Sequence, residues 1–383
     1  MGELEMESVH VSAPGKLFIA GEYSILERGT GLVAAIDKRV HCRLTKTKEP
    51  AFYISVKDFG IEKTRAVVEK GKLVFAPGTP PEQLEKLKFL KEAGELFLQY
   101  SGRRGLSHGL EIETWGEMSQ ASLGSGKTEK LGFGSSSAAT VAIIGALQAF
   151  NGKDLNSREE RMRVFKLASI VHYFTQGKIG SSYDVAASVY GGVFEYSAPD
   201  QKHVSEQIAR GAKIADLVGM NWPLLKVNPL RIPKELEFSV CWTGKSASTT
   251  ELVRRVQEAK GKNPEQYDSV IAKIRQASEG VIFAWKKEDR ELLLAKIEEN
   301  EKALRELGDF AGVAIETAEL SKMCQIARKH NAAAKLAGAG GGDSGICVCF
   351  NKDSRKAIEA EWKTEGLWPV DVSISLEGVR VEK

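Results

Sequence analysis

Apolar residues recur along this chain with two different periods. Glu7–Ala13, Arg39–Thr45 and Ala51–Lys57 alternate between polar and apolar, Leu17–Ala20 is an unbroken apolar run, and Gly31–Asp37 reads as a further strand. A period of two repeated this often predicts a β-rich opening. The spacing then changes: Leu84, Leu87, Leu90, Ala93 and Phe97 fall near every 3.6 residues and predict one amphipathic helix over Pro80–Tyr100. Leu106–Thr114 alternates again. A small-residue apolar run predicts a helix over Ser136–Phe150, stopped by Asn151-Gly152. Ser157–Gln176 predicts another, with Ser157 and Glu160 spaced as a capping box. A short helix around Asp184 ends at Gly191-Gly192, and Val193–Tyr196 is strand-like.

Ala198–Pro233 is polar and reads as irregular, which makes it the place to expect an inter-domain connection, dividing the chain into 1–198 and 199–383. Beyond it the pattern predicts a strand over Leu236–Trp242 and helices over Pro264–Lys286, Asp289–Leu307 and Gly312–His330. Strands at Ala332–Leu336 and Ile346–Phe350, a helix over Lys352–Glu365 and a strand over Asp371–Leu376 complete the chain. A length of 383 residues exceeds one ordinary core and supports two domains.

Composition narrows the function. With 42% hydrophobic and 27% charged residues the chain is globular rather than disordered or fibrous. A net charge of +3 supplies no global field for nucleic acid. The longest nearly apolar run, Ala138–Phe150, is broken by Gly145 and Gln148 and is too short to cross a bilayer. Glu3, Glu5 and Glu7 open the chain where an export signal would be basic and then apolar, so a cytoplasmic location is expected. Five cysteines without a CxxC pair suggest neither zinc nor a disulfide framework.

The chemistry gathers in glycine- and hydroxyl-rich stretches. In Leu131–Ala142, Gly132 and Gly134 permit left-handed backbone and close approach, and Ser135, Ser136 and Ser137 open a helix. Free amides and the helix dipole there suit a phosphate chain, although a turn that merely caps a core helix has the same sequence. Gly124-Ser-Gly-Lys-Thr128 is not a Walker site, because Ala121 stands where the pattern needs glycine and the flanks are polar. Lys16 lies at the turn into the Leu17–Ala20 strand, and Asp184 in a helix first turn, where the dipole alone would favour a carboxylate. Thr243–Thr250 again brings hydroxyls, a glycine and Lys245 to a helix start. Five glycines within Gly338–Gly345 point to backbone pressed against a ligand or another loop.

Pro14–Tyr23, Gly132–Ala138, Ser182–Gly192 and Lys335–Asp343, in this order, resemble the small-molecule kinases named after galactokinase, homoserine kinase, mevalonate kinase and phosphomevalonate kinase, the GHMP superfamily. The likeness spans nearly the whole chain. Asp184–Gly192, Trp242–Thr249 and Gly340–Asp343 are most similar to its phosphomevalonate kinase branch. The resemblance implies an α+β, two-domain fold: an N-terminal ATP-binding domain like domain 2 of ribosomal protein S5, and a ferredoxin-like C-terminal domain. It implies transfer of the ATP γ-phosphoryl group with Mg²⁺ to a small acceptor, phosphomevalonate in that branch, by a monomer or homodimer. Gly132, Gly134, Ser135, Ser136 and Ser137 would cradle the triphosphate, with Ser136 reaching the metal. Asp184 and Lys16 would be the catalytic pair. Lys16, Tyr23, Lys178, Ser182, Lys245, Ser246, Gly340 and Asp343 would meet the acceptor.

Two positions depart from the family. Some relatives carry a magnesium-binding glutamate on the preceding helix; here that region holds His172 and no carboxylate. Phe133 stands where leucine is usual. An alcohol acceptor such as mevalonate is the competing expectation, and a non-catalytic sensor a further one. Lys245 separates the first two, since an uncharged hydroxyl would not call for it.

Overall fold

The computed structural model describes residues 7–102, 109–118, 131–177, 180–245 and 249–383. The chain opens with β1 (Ser8–Ala20), β2 (Thr30–Thr47), β3 (Phe52–Val56), β4 (Ile61–Glu69) and β5 (Lys72–Phe75). Next come α1 (Pro81–Lys86), α2 (Lys88–Ser101), β6 (Gly109–Gly116), α3 (Ser135–Phe150), α4 (Arg158–Gln176) and α5 (Tyr183–Tyr190). They lead to β7 (Val193–Ser197), α6 (Gln201–Ala209), α7 (Ile214–Gly219) and β8 (Lys226–Leu230). The remainder holds β9 (Glu237–Trp242), α8 (Thr249–Lys262), α9 (Pro264–Lys287), α10 (Arg290–Ala311) and α11 (Ala318–Lys329). Last are β10 (Ala333–Leu336), β11 (Ser344–Cys349), α12 (Lys352–Thr364), β12 (Trp368–Val370) and β13 (Arg380–Val381).

The strands form a nine-stranded mixed sheet, ordered β13-β1-β2-β6-β3-β4-β5 with β7 on β2 and β8 on β7, and a four-stranded antiparallel sheet, β10-β11-β9-β12. Chain on both sides of the 198/199 division therefore contributes to the larger sheet. One face of that sheet is covered by α3, whose residues are buried nearly all round, with α2, α4 and α5 packed beside it. A helix apolar on every side has to be a core helix.

Several elements differ from what the local pattern predicts. The two strands expected over Gly31–Asp37 and Arg39–Thr45 are one, β2, because a register shift against β1 at Pro14/Gly15 absorbs the irregularity between them. Its first part pairs β7 and its second β6. The helix expected over Pro80–Tyr100 is interrupted at Leu87, which is fully buried. The supposedly irregular Ala198–Pro233 contains α6, α7 and β8. Tertiary anchors hold it: Lys166 Nζ donates to Val218 O (2.9 Å) and Met220 O (2.7 Å), and Trp222 is buried.

The strand expected over Asp371–Leu376 is replaced by a single bridge, Ile36 to Ile374. Around that bridge Asp37 N–H donates to Ser373 O and Ser375 N–H to Ala35 O, both at 2.9 Å, and Gly192 N–H then donates to Ser375 O at 2.7 Å. The Arg39 guanidinium ties the chain just beyond to Ser12 of β1, donating to Glu377 O (3.2 Å), Gly378 O (2.7 Å) and Ser12 O (3.1 Å). Among the described residues no helix is long and apolar enough to cross a membrane. All five cysteines are buried free thiols.

Candidate active site

Hydrogen bonds tie the glycine-rich stretches to one another. Near the middle of β1, Lys16 donates its backbone N–H to Phe133 O at 2.9 Å and its ammonium to Gly132 O at 2.7 Å. The N–H of Gly132 donates to Asp343 Oδ1 at 3.2 Å. A Cβ on Gly132 would stand 2.0 Å from Asp343 Oδ2, so any larger residue would have to displace that carboxylate. The Lys16 ammonium also lies 5.6 Å from the ring centroid of Tyr183, the neighbour of Asp184. Just past β1, the Tyr23 hydroxyl donates to Ala339 O at 2.7 Å, and Glu22 pairs with Lys335. Residues more than 300 positions apart thus meet around Lys16.

Gly134 is the cap of α3 at φ 79, and a Cβ there would be 3.0 Å from Lys16 Cγ. The turn and the close approach both require glycine. The first amide bonded back into the turn is that of Ala138, to Gly134 O at 3.0 Å, so the N–H groups of Ser135, Ser136 and Ser137 are open to an anion. Ser137 is fully buried and donates its hydroxyl to Gly134 O at 2.8 Å. Ser135 and Ser136 are half-buried, and their hydroxyls have no partner among the described residues.

Ser182, at φ 56, precedes α5 and is buried. Asp184 sits in the first turn, with Oδ1 accepting from Val185 N–H at 2.9 Å. Among the described residues Lys16 and Asp184 make no ion pair within 4 Å. Both act on Tyr183: burial raises its phenol, the Lys16 charge opposes that and Asp184 reinforces it. Burial likewise raises Asp343, against the Gly132 N–H and Lys16. His172, buried on α4, is pushed down by burial, with Asp184 nearby opposing, and its Nε2 has no partner among the described residues.

The glycines of the last stretch are pinned from behind. Gly341 N–H donates to Ile315 O at 2.7 Å, and a Cβ on Gly340 would come within 2.2 Å of the same oxygen. Asp343, at φ 57, donates its N–H to Lys245 O at 2.6 Å and accepts from Thr243 N–H at 2.8 Å. The Lys245 backbone is therefore locked to this loop, while its exposed ammonium pairs with Glu319 Oε1 at 2.7 Å and holds that carboxyl well below its ordinary range. Lys178 and Ser246, and the Gly124–Thr128 stretch, lie outside the described residues. Trp115 is stacked on His41 (5.1 Å, 5°) under Arg43 and Lys57, and Lys72 lies on β5.

Mg²⁺ prefers hard oxygen donors. The unpartnered hydroxyl of Ser136 and the carboxylate of Asp184 are such donors, at the starts of two neighbouring helices. His172, kept neutral by burial, is a poor one. Hard oxygen donors of the kind the ion takes are therefore present at these two helix starts.

The local pattern did not single out Tyr183, the Glu22–Lys335 pair, Glu319 or Ile315. A signal existed for Lys335 only: a lysine inside the otherwise apolar strand Ala332–Leu336 needs a buried partner.

Comparison with known proteins identifies the family. The family described as GHMP kinases N terminal domain matches residues 88–192, and GHMP kinases C terminal matches residues 289–366. A phosphomevalonate kinase from a Streptomyces strain is 30% identical over 375 residues, covering 96% of this chain and 97% of that protein. A mevalonate kinase from Pyrococcus abyssi is 26% identical and covers 98% of each. The crystal structure of Streptococcus pneumoniae phosphomevalonate kinase in complex with phosphomevalonate and AMPPNP shares the fold, with a TM-score of 0.78, 22% identity, and coverage of 96% of this chain and 100% of that one.

Proposed function

The chain belongs to the GHMP kinases, and we propose that within this family it transfers the γ-phosphoryl group of ATP to the phosphate of phosphomevalonate, giving diphosphomevalonate and ADP. The observation that carries the reading is the meeting of a cation, Lys16, with the open amides of Ser135–Ser137 and the loop held by Asp343. The 30% identity to a phosphomevalonate kinase and the cation of Lys245 beside that loop support the acceptor. Small, diffusible substrates suit a cytoplasmic enzyme.

The nucleophile is then itself a phosphate oxygen. A phosphomonoester has a second pKa of about 6 and is mostly ionised at neutral pH, so little base strength is needed. The barrier lies in bringing two anions together, which calls for positioning and positive charge. The α3 amides bind the ATP phosphates, and Lys16, aimed by Gly132 O and packed beside Tyr183, neutralises charge between donor and acceptor. Ser136 would hold Mg²⁺, which would supply further neutralisation of the phosphates when bound. Asp184 orients Lys16 once the acceptor draws it from Gly132 O, and takes up any remaining acceptor proton. Lys245 exchanges Glu319 for the acceptor phosphate, and Ser182 meets the acceptor from the start of α5. Tyr23 and Gly340 keep the loop in place.

ADP release with Mg·ATP and mevalonate, phosphomevalonate or diphosphomevalonate, in parallel, tests the acceptor. Turnover with phosphomevalonate alone is expected. Turnover with mevalonate instead moves the weight to Asp184 as base. Lys16→Ala should remove roughly 3 kcal/mol of transition-state stabilisation. A larger kcat loss in Asp184→Asn than in Lys16→Ala refutes this division of labour.

A further inference from the structure

Where α5 ends and β7 begins, a cavity of about 440 Å³ opens beside Gly191 and Gly192. That volume is in the range of small-ligand pockets. Its walls are apolar: Phe194 of β7, Val227 and Leu230 of β8, Ile232, and Leu376 of the C-terminal tail. Leu376 is 73% exposed, more than any other large hydrophobic side chain among the described residues.

The polar side chains of the lining are two cations, Arg161 of α4 and Arg231 just after β8, and the phenol of Tyr190, whose hydroxyl lies 3.7 Å from Met162 Sδ; no acid lines it. Neither has a carboxylate within 4 Å among the described residues. Arg161 spends only its Nε, on Leu155 O at 3.0 Å, and the Arg231 guanidinium has no partner among the described residues. Most other arginines near a surface here are paired, as Arg163, Arg254, Arg290 and Arg380 are. Guanidiniums offer planar, forked donors matched to phosphate and carboxylate oxygens. A half-open apolar groove with, among the described residues, one free guanidinium and one that keeps its two terminal nitrogens free is complementary to a molecule that is apolar at one end and anionic at the other.

We propose that this cavity is a second binding site, distinct from the Lys16 cleft, for a small amphiphile: a short aliphatic chain bearing a phosphate or carboxylate head. The chain lies against Phe194, Val227, Leu230 and Leu376, and the head meets Arg161 and Arg231. Its floor is the Gly191-Gly192 turn, where Gly192 N–H donates to Ser375 O at 2.7 Å, so the occupant touches both the end of the Asp184 helix and the tail.

Titration calorimetry on the full chain, with AMPPNP and Mg²⁺ filling the kinase cleft, tests this with octyl phosphate, octanoate, octyl glucoside and inorganic phosphate. One molecule of octyl phosphate per chain should bind about tenfold or more tightly than octyl glucoside, and inorganic phosphate alone should not bind measurably. Octanoate bound as tightly identifies any anionic head; octanoate bound weakly identifies phosphate. Arg231→Glu, at an exposed position, should weaken octyl phosphate about tenfold or more, and Leu230→Trp should block it by filling the chamber. Equal affinity for octyl glucoside, no binding of either anionic probe, or unchanged affinity in Arg231→Glu overturns the proposal, whether or not Leu230→Trp folds.

Discussion

Lys335 is fully buried in β10, and its ammonium is bonded to Glu22 Oε1 and to Leu336 O at 2.6 Å. Glu22 is 3% exposed; Oε1 also receives the Gly338 N–H at 3.5 Å, and Oε2 has no partner among the described residues. Burial drives both groups toward neutrality, Glu22 up and Lys335 down, and each charge opposes the shift of the other. Lys335→Met removes the opposition. It leaves a carboxylate in a dry site, and breaking such a pair from one side costs about 3–5 kcal/mol. Against a total stability of about 5–15 kcal/mol that is severe. The lone Glu22 has a folded pKa above its unfolded one, so the loss should grow as pH rises and shrink when acid protonates it. Lys335→Met with Glu22→Leu removes both charges and should recover most of the loss. Urea midpoints for the two single variants and the double, at pH 8 and pH 5, complete the cycle. If Lys335→Met costs under about 1 kcal/mol at pH 8, or the double costs the sum of the singles, the pair is not the clamp between the end of β1 and the glycine loop that its burial implies.

Three further outcomes follow from the geometry. Gly132→Ala places a Cβ 2.0 Å from Asp343 Oδ2 and must displace it, so kcat/KM should fall roughly 10²-fold, and an unimpaired variant would show that this contact does not position the site. Glu316, apposed to Glu301 under Arg305 and Arg328 and beside the Cys324 thiol, is raised by burial and by Glu301 to about 7. The folded state therefore holds a proton that the unfolded chain has lost, and stability should decline by at most about 3 kcal/mol between roughly pH 4.5 and 7; Glu316→Gln should flatten that slope in urea titrations, and an unchanged slope refutes the assignment. Lys245→Ala breaks an exposed pair worth about 0–1 kcal/mol, so melting should barely move while KM for the acceptor rises about tenfold; a large stability loss with unchanged KM would make Lys245 a structural residue only.

How far the sequence carried depends on the range of the interaction concerned. The cap of α4 is contained in residues 157–160, and Ser157 Oγ accepts from Glu160 N–H at 3.1 Å. Asp289 and Asn263, which cap α10 and α9, are equally local, and so is the left-handed glycine opening α3. Caps, turns and the 3.6 period are decided within a few residues, and α3, α4 and α9 stand within a residue or so of where the pattern puts them, whereas α10 runs on to Ala311 and the helix expected from Gly312 begins only at Ala318. The glycine- and hydroxyl-rich stretches were legible for the same reason, since composition alone shows backbone meant for close approach.

What the chain by itself left open is which of these pieces touch. Glu22 and Lys335 are 313 residues apart, and Gly132 and Asp343 are 211 apart. No local period encodes such a pairing; it exists only once two sheets are built and stacked. The partner of Lys245, the return of β13 onto β1 under Arg39, and the order inside Ala198–Pro233 were likewise settled by tertiary contacts. A buried charge or an exposed carbonyl takes whichever partner the packed fold brings within about 3 Å, and sequence distance places no limit on that choice.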